Sequence, residues 1–184
     1  MRAETVDNRM RRHGDGVFGA LVTTVMAVLM LPPSGGAHAQ LASSPQANPT
    51  RVLFMCPHGA AKSVLASEYF QRLAKERGLD VIVDSAGMEP DPVVSPKVAA
   101  HLTQQGYVVP VDAPRLVTPR DLATADVVIS LGCDLARSPT PAGRLVKWDD
   151  VPAPSEDFTG ADDAIRRHVI ELVDELVRQV NARK

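Results

Sequence analysis

The residues best placed to do chemistry lie in one short stretch, "CPHGAAKS", Cys56 to Ser63. It follows an apolar run and opens an amphipathic pattern, so strand, turn and helix come in the order that makes a cradle for an anion. In such a turn successive backbone N–H groups converge, and the helix dipole adds partial positive charge. A tetrahedral oxyanion, phosphate or arsenate, suits a concavity built from Pro57, His58, Gly59, Ala60, Ala61, Lys62 and Ser63. Cys56 stands at its lip, where the same dipoles favour thiolate over thiol. A thiolate beneath a bound phosphoryl group is an in-line nucleophile, giving a thiophosphate that water later cleaves. Gly59 supplies freedom for an awkward φ, Lys62 neutralises the oxyanion, and Ser63 can hydrogen-bond the thiolate. His58 has the side chain of a base, but nothing in the sequence fixes its geometry, and it reads first as a rim residue. Taken alone, a strand-end cysteine also fits a plain core thiol.

The elements that must position this loop follow from periodicity. "RVLFM" (Arg51 to Met55) is a short continuous apolar strand of the buried parallel kind. From Ser63 onward Val64, Leu65, Tyr69, Phe70, Leu73 and Ala74 recur at helical spacing, and Gly78 stops the helix. "DVIVDSAG" gives a second strand. "SPKVAAHLTQQG" reads as a helix with Ser95 as cap, Pro96 in first position and Gly106 beyond its end. "TPRDLATA" starts the same way, with Thr118 as cap and Asp121 three residues on. "DVVISLGC" and "GRLVKWDD" supply strands three and four. A final helix is expected from about Ala161, with Ile165, Val169, Leu172, Val173, Leu176 and Val180 on one face. Strands alternating with helices imply an α/β fold, a doubly wound parallel sheet with helices on both faces. Ligands in such sheets bind beyond the C-terminal strand ends, which is where Cys56 to Ser63 falls.

The first 39 residues are read as a secretory signal peptide. Arg9, Arg11 and Arg12 precede the uncharged run Val17 to Leu31, and "AHA" (Ala37 to Ala39) offers a cleavage site. A membrane anchor is the other reading, but a span wants about 18 or more apolar residues. Gln40 to Thr50 reads as a polar tether, and Arg51 to Lys184 as one domain with one core. Localisation is therefore expected to be periplasmic or secreted, with no stable membrane anchor after cleavage. Four of the 20 basic and three of the 22 acidic residues fall in the first 39, leaving 16 against 19, a formal charge of −3. That balance and the scarcity of aromatics exclude a nucleic-acid partner. Two cysteines in an oxidising compartment read as one structural disulfide, Cys56 with Cys133. No CxxC, no HExxH and no Cys/His pair at metal spacing occurs, so neither a metal nor a cofactor is expected.

"CPHGAAKS" resembles the C-x5-R-S phosphate loop of the low-molecular-weight protein tyrosine phosphatases and the related thiol-dependent arsenate reductases. "DSAG" (Asp84 to Gly87), "SPKVAAHLTQQGY", "TPRDLATADVVISLG" and the late acidic "WDD" follow in that family's order. The resemblance implies a four-stranded parallel sheet of order 2-1-3-4 with helices on both faces. It implies Cys56 as nucleophile, Ser63 as the serine closing the loop, and Lys62 in the place of the arginine that clamps the oxyanion. It implies a general acid in "WDDVPAPSEDF", Asp150 first and Asp149 second, although Val151 intervenes before Pro152. Lys62 turns a planar bidentate fork into a point charge, and Gly59 stands where the family has an asparagine. Activity is expected on phosphomonoesters of the phosphotyrosine kind. Two readings stand beside it: arsenate reduction, with an external thiol reductant as partner or with Cys133 as resolving thiol, and a binding module that kept the cradle without turnover.

Overall fold

The computed structural model describes residues 48–183, and the expected signal segment lies outside them. The chain lays down β1 (Thr50–Cys56), α1 (Lys62–Glu76), β2 (Val81–Gly87), α2 (Pro96–Gln104), α3 (Pro119–Thr124), β3 (Val127–Ser130), a 3-10 turn Leu135–Arg137, β4 (Arg144–Lys147) and α4 (Phe158–Ala182). The four strands form one sheet of order β2-β1-β3-β4, every pair parallel, as the resemblance implies. Thr50, expected to end the tether, instead begins β1 opposite Val81.

Alternation along the central strands divides the core in two. Val52, Phe54 and Cys56 of β1, with Val127 and Ile129 of β3, pack with α1, α2 and α4. Leu53 and Met55, with Val128, face the other way onto Leu122 of α3 and Ala125. Burial on both faces explains why β1 reads as an unbroken apolar run rather than as an alternating one. Phe54 anchors the larger layer, its ring 5.4 Å from Phe70 and 5.8 Å from Trp148.

Helix ends follow local chemistry. Thr118 and Asp121 form a reciprocal capping box on α3. α4 starts at Phe158, three residues before the expected Ala161, because the Asp157 carboxylate accepts from the Gly160 N–H at 2.8 Å. Ser95 precedes α2, but its side chain caps nothing; its N–H donates to the Ala60 carbonyl at 2.9 Å and so ties α2 to the loop after β1. Among the described residues no helix is long and apolar enough to cross a membrane.

Candidate active site

β1 ends at Cys56 and α1 begins at Lys62, so residues 57–61 form the whole connection. Four of its backbone carbonyls and that of Cys56 are committed outward. Cys56 accepts from Met88 (3.2 Å), Pro57 from Glu89 (2.9 Å), His58 from Asp91 (3.0 Å), Ala60 from Ser95 (2.9 Å) and Ala61 from Leu65 (2.9 Å). Among the described residues, no N–H from His58 to Ser63 donates to another protein group. A loop whose acceptors are used and whose donors are free, at the N-terminus of a 15-residue helix, is a nest for an anion.

Gly59 makes the loop possible. Its φ of +61° lies in the left-handed region, and a Cβ there would meet the Gly87 nitrogen at 2.7 Å. The converse holds too: a Cβ on Gly87 would lie 2.5 Å from the Gly59 nitrogen. The glycine ending "DSAG" is therefore required by the approach of the loop to the end of β2.

Cys56 is 3% exposed, and its Sγ lies 3.3 Å from the Oγ of the fully buried Ser63. As a thiol the sulfur donates to the hydroxyl; as a thiolate it accepts from it. Both residues sit beside a cavity of about 530 Å³ lined by Cys56, Pro57, His58, Ala60, Ala61 and Lys62 of the loop. Across from them stand Asp91, Ser95, Lys97, Ala153, Pro154, Ser155 and Phe158. The far wall mixes polar and apolar side chains and carries one aromatic ring, Phe158, over which the Lys97 ammonium lies 4.6 Å away. Lys62 lines this cavity, and its ammonium donates to the Val151 carbonyl at 3.4 Å, tying the loop to the segment after β4.

The two aspartates expected to supply the acid do not line the cavity. Asp150 faces α4, where it accepts from His168 Nε2 at 2.8 Å and from Arg167 at 3.0 Å. The His168 hydrogen bond, reinforced by the Arg167 charge, holds its carboxyl below the usual carboxylate range. Trp148 stacks on His168 at 4.9 Å and fixes that arrangement.

Cys133 and Cys56 are both free thiols. β1 and β3 are neighbours, as the family's strand order requires, yet Cys133 packs with Leu53 and Met55 on the α3 side, while Cys56 belongs to the opposite layer. Burial, with a smaller push from Cys56, raises the Cys133 thiol to about 11. Among the described residues no cluster of His, Cys, Asp or Glu could hold a metal ion.

Sequence reasoning missed Asp91, Lys97 and Phe158 as cavity residues. Asp91 lies in the irregular run between β2 and α2, and the only local signal was the Asp91-Pro92 dipeptide. Its carboxylate stands 3.4 Å from His58 Nδ1.

The comparisons with known proteins agree with this architecture. Among curated proteins no sequence match is found. A protein tyrosine phosphatase of Entamoeba histolytica superposes with a TM-score of 0.62 at 20% identity, covering 71% of this chain and 98% of that one. A low-molecular-weight phosphotyrosine phosphatase of Vibrio cholerae does so with the same TM-score at 23% identity, again covering 71% and 98%. At those identities the likeness carries the fold alone. A thioredoxin-dependent arsenate reductase of Corynebacterium glutamicum aligns at 25% identity and a TM-score of 0.59 over 73% of this chain, which spans 64% of that chain's length. The sequence profile of the low molecular weight phosphotyrosine protein phosphatases matches residues 51–182, all of the sheet but Thr50 and every described residue but 48–50 and 183. With that match and the strand order in hand, the chain belongs to the low molecular weight phosphotyrosine protein phosphatase family.

Proposed function

We propose that this chain is an exported phosphatase that hydrolyses phosphomonoesters through a thiolate at Cys56. One observation carries the reading: the unpaired N–H groups of residues 58–63 follow directly on a buried cysteine whose sulfur is hydrogen-bonded to Ser63. The phosphoryl oxygens take the free N–H groups, and Lys62 adds a compensating positive charge. Cys56 attacks phosphorus in line, the bond to the leaving oxygen breaks, and Ser63 stabilises the sulfur as it departs again in the second step. The Phe158 ring on the cavity wall, flanked by Ala153 and Pro154, supports an aryl leaving group. Release of phosphate from an aryl phosphate by the mature protein, abolished by Cys56→Ser, tests the proposal; release that survives this change sinks it.

Arsenate reduction is the second reading, supported by the arsenate reductase among the structural neighbours. A thiol held near 11 by burial against the smaller core layer makes Cys133 a slow internal attacker at neutral pH. An external thiol is then the reductant of choice. Phosphate binding with neither activity supports the binding module instead. Export rests on the apolar run Val17 to Leu31. Its test is the mass of the protein from its native host, which should begin near Gln40; an intact Met1 form in the cytoplasm refutes it.

A further inference from the structure

We propose that His58, held in place by Asp91, is the proton donor and acceptor of the phosphoryl transfer, in the role expected of Asp150. The inference rests on the phosphatase reading and deepens it. Both residues line the cavity that Cys56 opens onto. Asp91 grips His58 twice: its N–H donates to the His58 carbonyl at 3.0 Å, and its Oδ1 stands 3.4 Å from the ring Nδ1. A carboxylate thus stands within ion-pair distance of one ring nitrogen, the arrangement found beside catalytic imidazoles. Its Nε2 has no hydrogen-bond partner among the described residues and is left for the substrate.

The alternatives are engaged elsewhere. Asp150 is bound to His168 and Arg167 outside the cavity, and Asp149 does not line it either. Lys62 and Lys97 are the other charged groups on the cavity wall beside Asp91, and both are engaged, the Lys62 ammonium with the Val151 carbonyl and the Lys97 ammonium with the Phe158 ring. His58 lies two residues after Cys56, so the same loop that seats the phosphoryl group carries the ring.

The steps balance without a further reactant. As Cys56 Sγ bonds to phosphorus and the P–O bond to the leaving group breaks, the Nε2 proton passes to the leaving oxygen. The neutral ring then takes a proton from the attacking water as the S–P bond breaks, which returns thiolate, protonated His58 and free phosphate. His58 is 65% exposed, so its replacement does not threaten the core.

The test compares two substrates of different leaving-group demand. Phenyl phosphate needs a proton on its departing oxygen, whereas p-nitrophenyl phosphate hardly does. His58→Gln should slow phenyl phosphate about 100-fold and the nitrophenyl ester less than about 10-fold. Asp91→Ala should show the same split in weaker form, and Asp91→Glu should recover part of it, since Asp91 acts only by positioning the ring. Equal losses on the two substrates, or the split arising in Asp150→Asn instead, would overturn the proposal. Loss of the phosphatase reading itself is seen separately, as phosphate release that persists in Cys56→Ser.

Discussion

Replacing Gly59 by alanine tests whether main-chain geometry sets the anion cradle. The residue holds φ at +61°, where a Cβ costs an L-residue roughly 1–2 kcal/mol. The added methyl would stand 2.7 Å from the Gly87 nitrogen and 3.0 Å from its Cα. Those atoms are main chain, and the Gly87 N–H is itself fixed to the Arg115 carbonyl at 2.8 Å, so the neighbour cannot simply rotate away. Overpacking of this kind costs about 1–3 kcal/mol, and the two effects together come to about 2–5 kcal/mol. Should the loop swing aside to escape, the free N–H groups lose their common focus. Urea unfolding with and without phosphate reads both consequences. The wild type should gain about 2.7 kcal/mol at phosphate a hundredfold above its Kd. Gly59→Ala should be less stable at unchanged m and should lose most of that gain. An alanine variant within about 0.5 kcal/mol of wild type, with its phosphate stabilisation intact, would refute the reasoning.

Three further outcomes are expected. Lys62 is half-buried, so its charge lies between the surface and interior limits; about 4 kcal/mol at 4 Å and an effective dielectric near 20 is halved by solvent to about 2 kcal/mol, and Lys62→Met should lower kcat/KM by about 30-fold. An unchanged rate would mean that the ammonium serves only as a strut to Val151. The Cys133 thiol, held near 11 by burial, should alkylate slowly at neutral pH, its rate rising about tenfold per pH unit toward that value, and peptide mass mapping after iodoacetamide would show otherwise if it is freely reactive. Burial pushes the Asp121 carboxyl up, but hydrogen bonds from Arg115 and Thr118 outweigh this and hold it below its ordinary 3.8. Its contribution should thus be complete above that value and fade as the pH falls through the lower folded one. Asp121→Asn should cost about 1 kcal/mol at pH 7 and converge on wild type in acid; a constant gap across that range would contradict the ion pair.

The sheet was legible because its signals are local and redundant. β1 and β3 are apolar runs of strand length, and Thr118 with Asp121 marks a helix start that no other pairing explains. The cradle was legible for the same reason, since Cys56, Gly59 and Ser63 act within eight residues. Asp91 escaped because its effect comes from a contact across the gap between β2 and α2, a segment with no period to read. Asp150 was placed by motif order, but motif order says nothing about Arg167 and His168, nearly three turns into α4, and these decide where the carboxylate points. Boundaries shifted where a side chain did unexpected work, as Asp157 does in starting α4 early.

The amides of Met88, Glu89, Asp91 and Ser95 hold the carbonyls of the loop from behind. These four donors reach it only after α1 has crossed over and β2 has zipped alongside β1, a closure spanning some thirty residues. The receptor for the anion is thus braced by a segment distant in sequence, carried on the end of a neighbouring strand. Deuterium uptake at those four positions should follow the rarest, whole-molecule openings rather than the quick fraying of a surface turn, and bound phosphate should slow it further in proportion to occupancy.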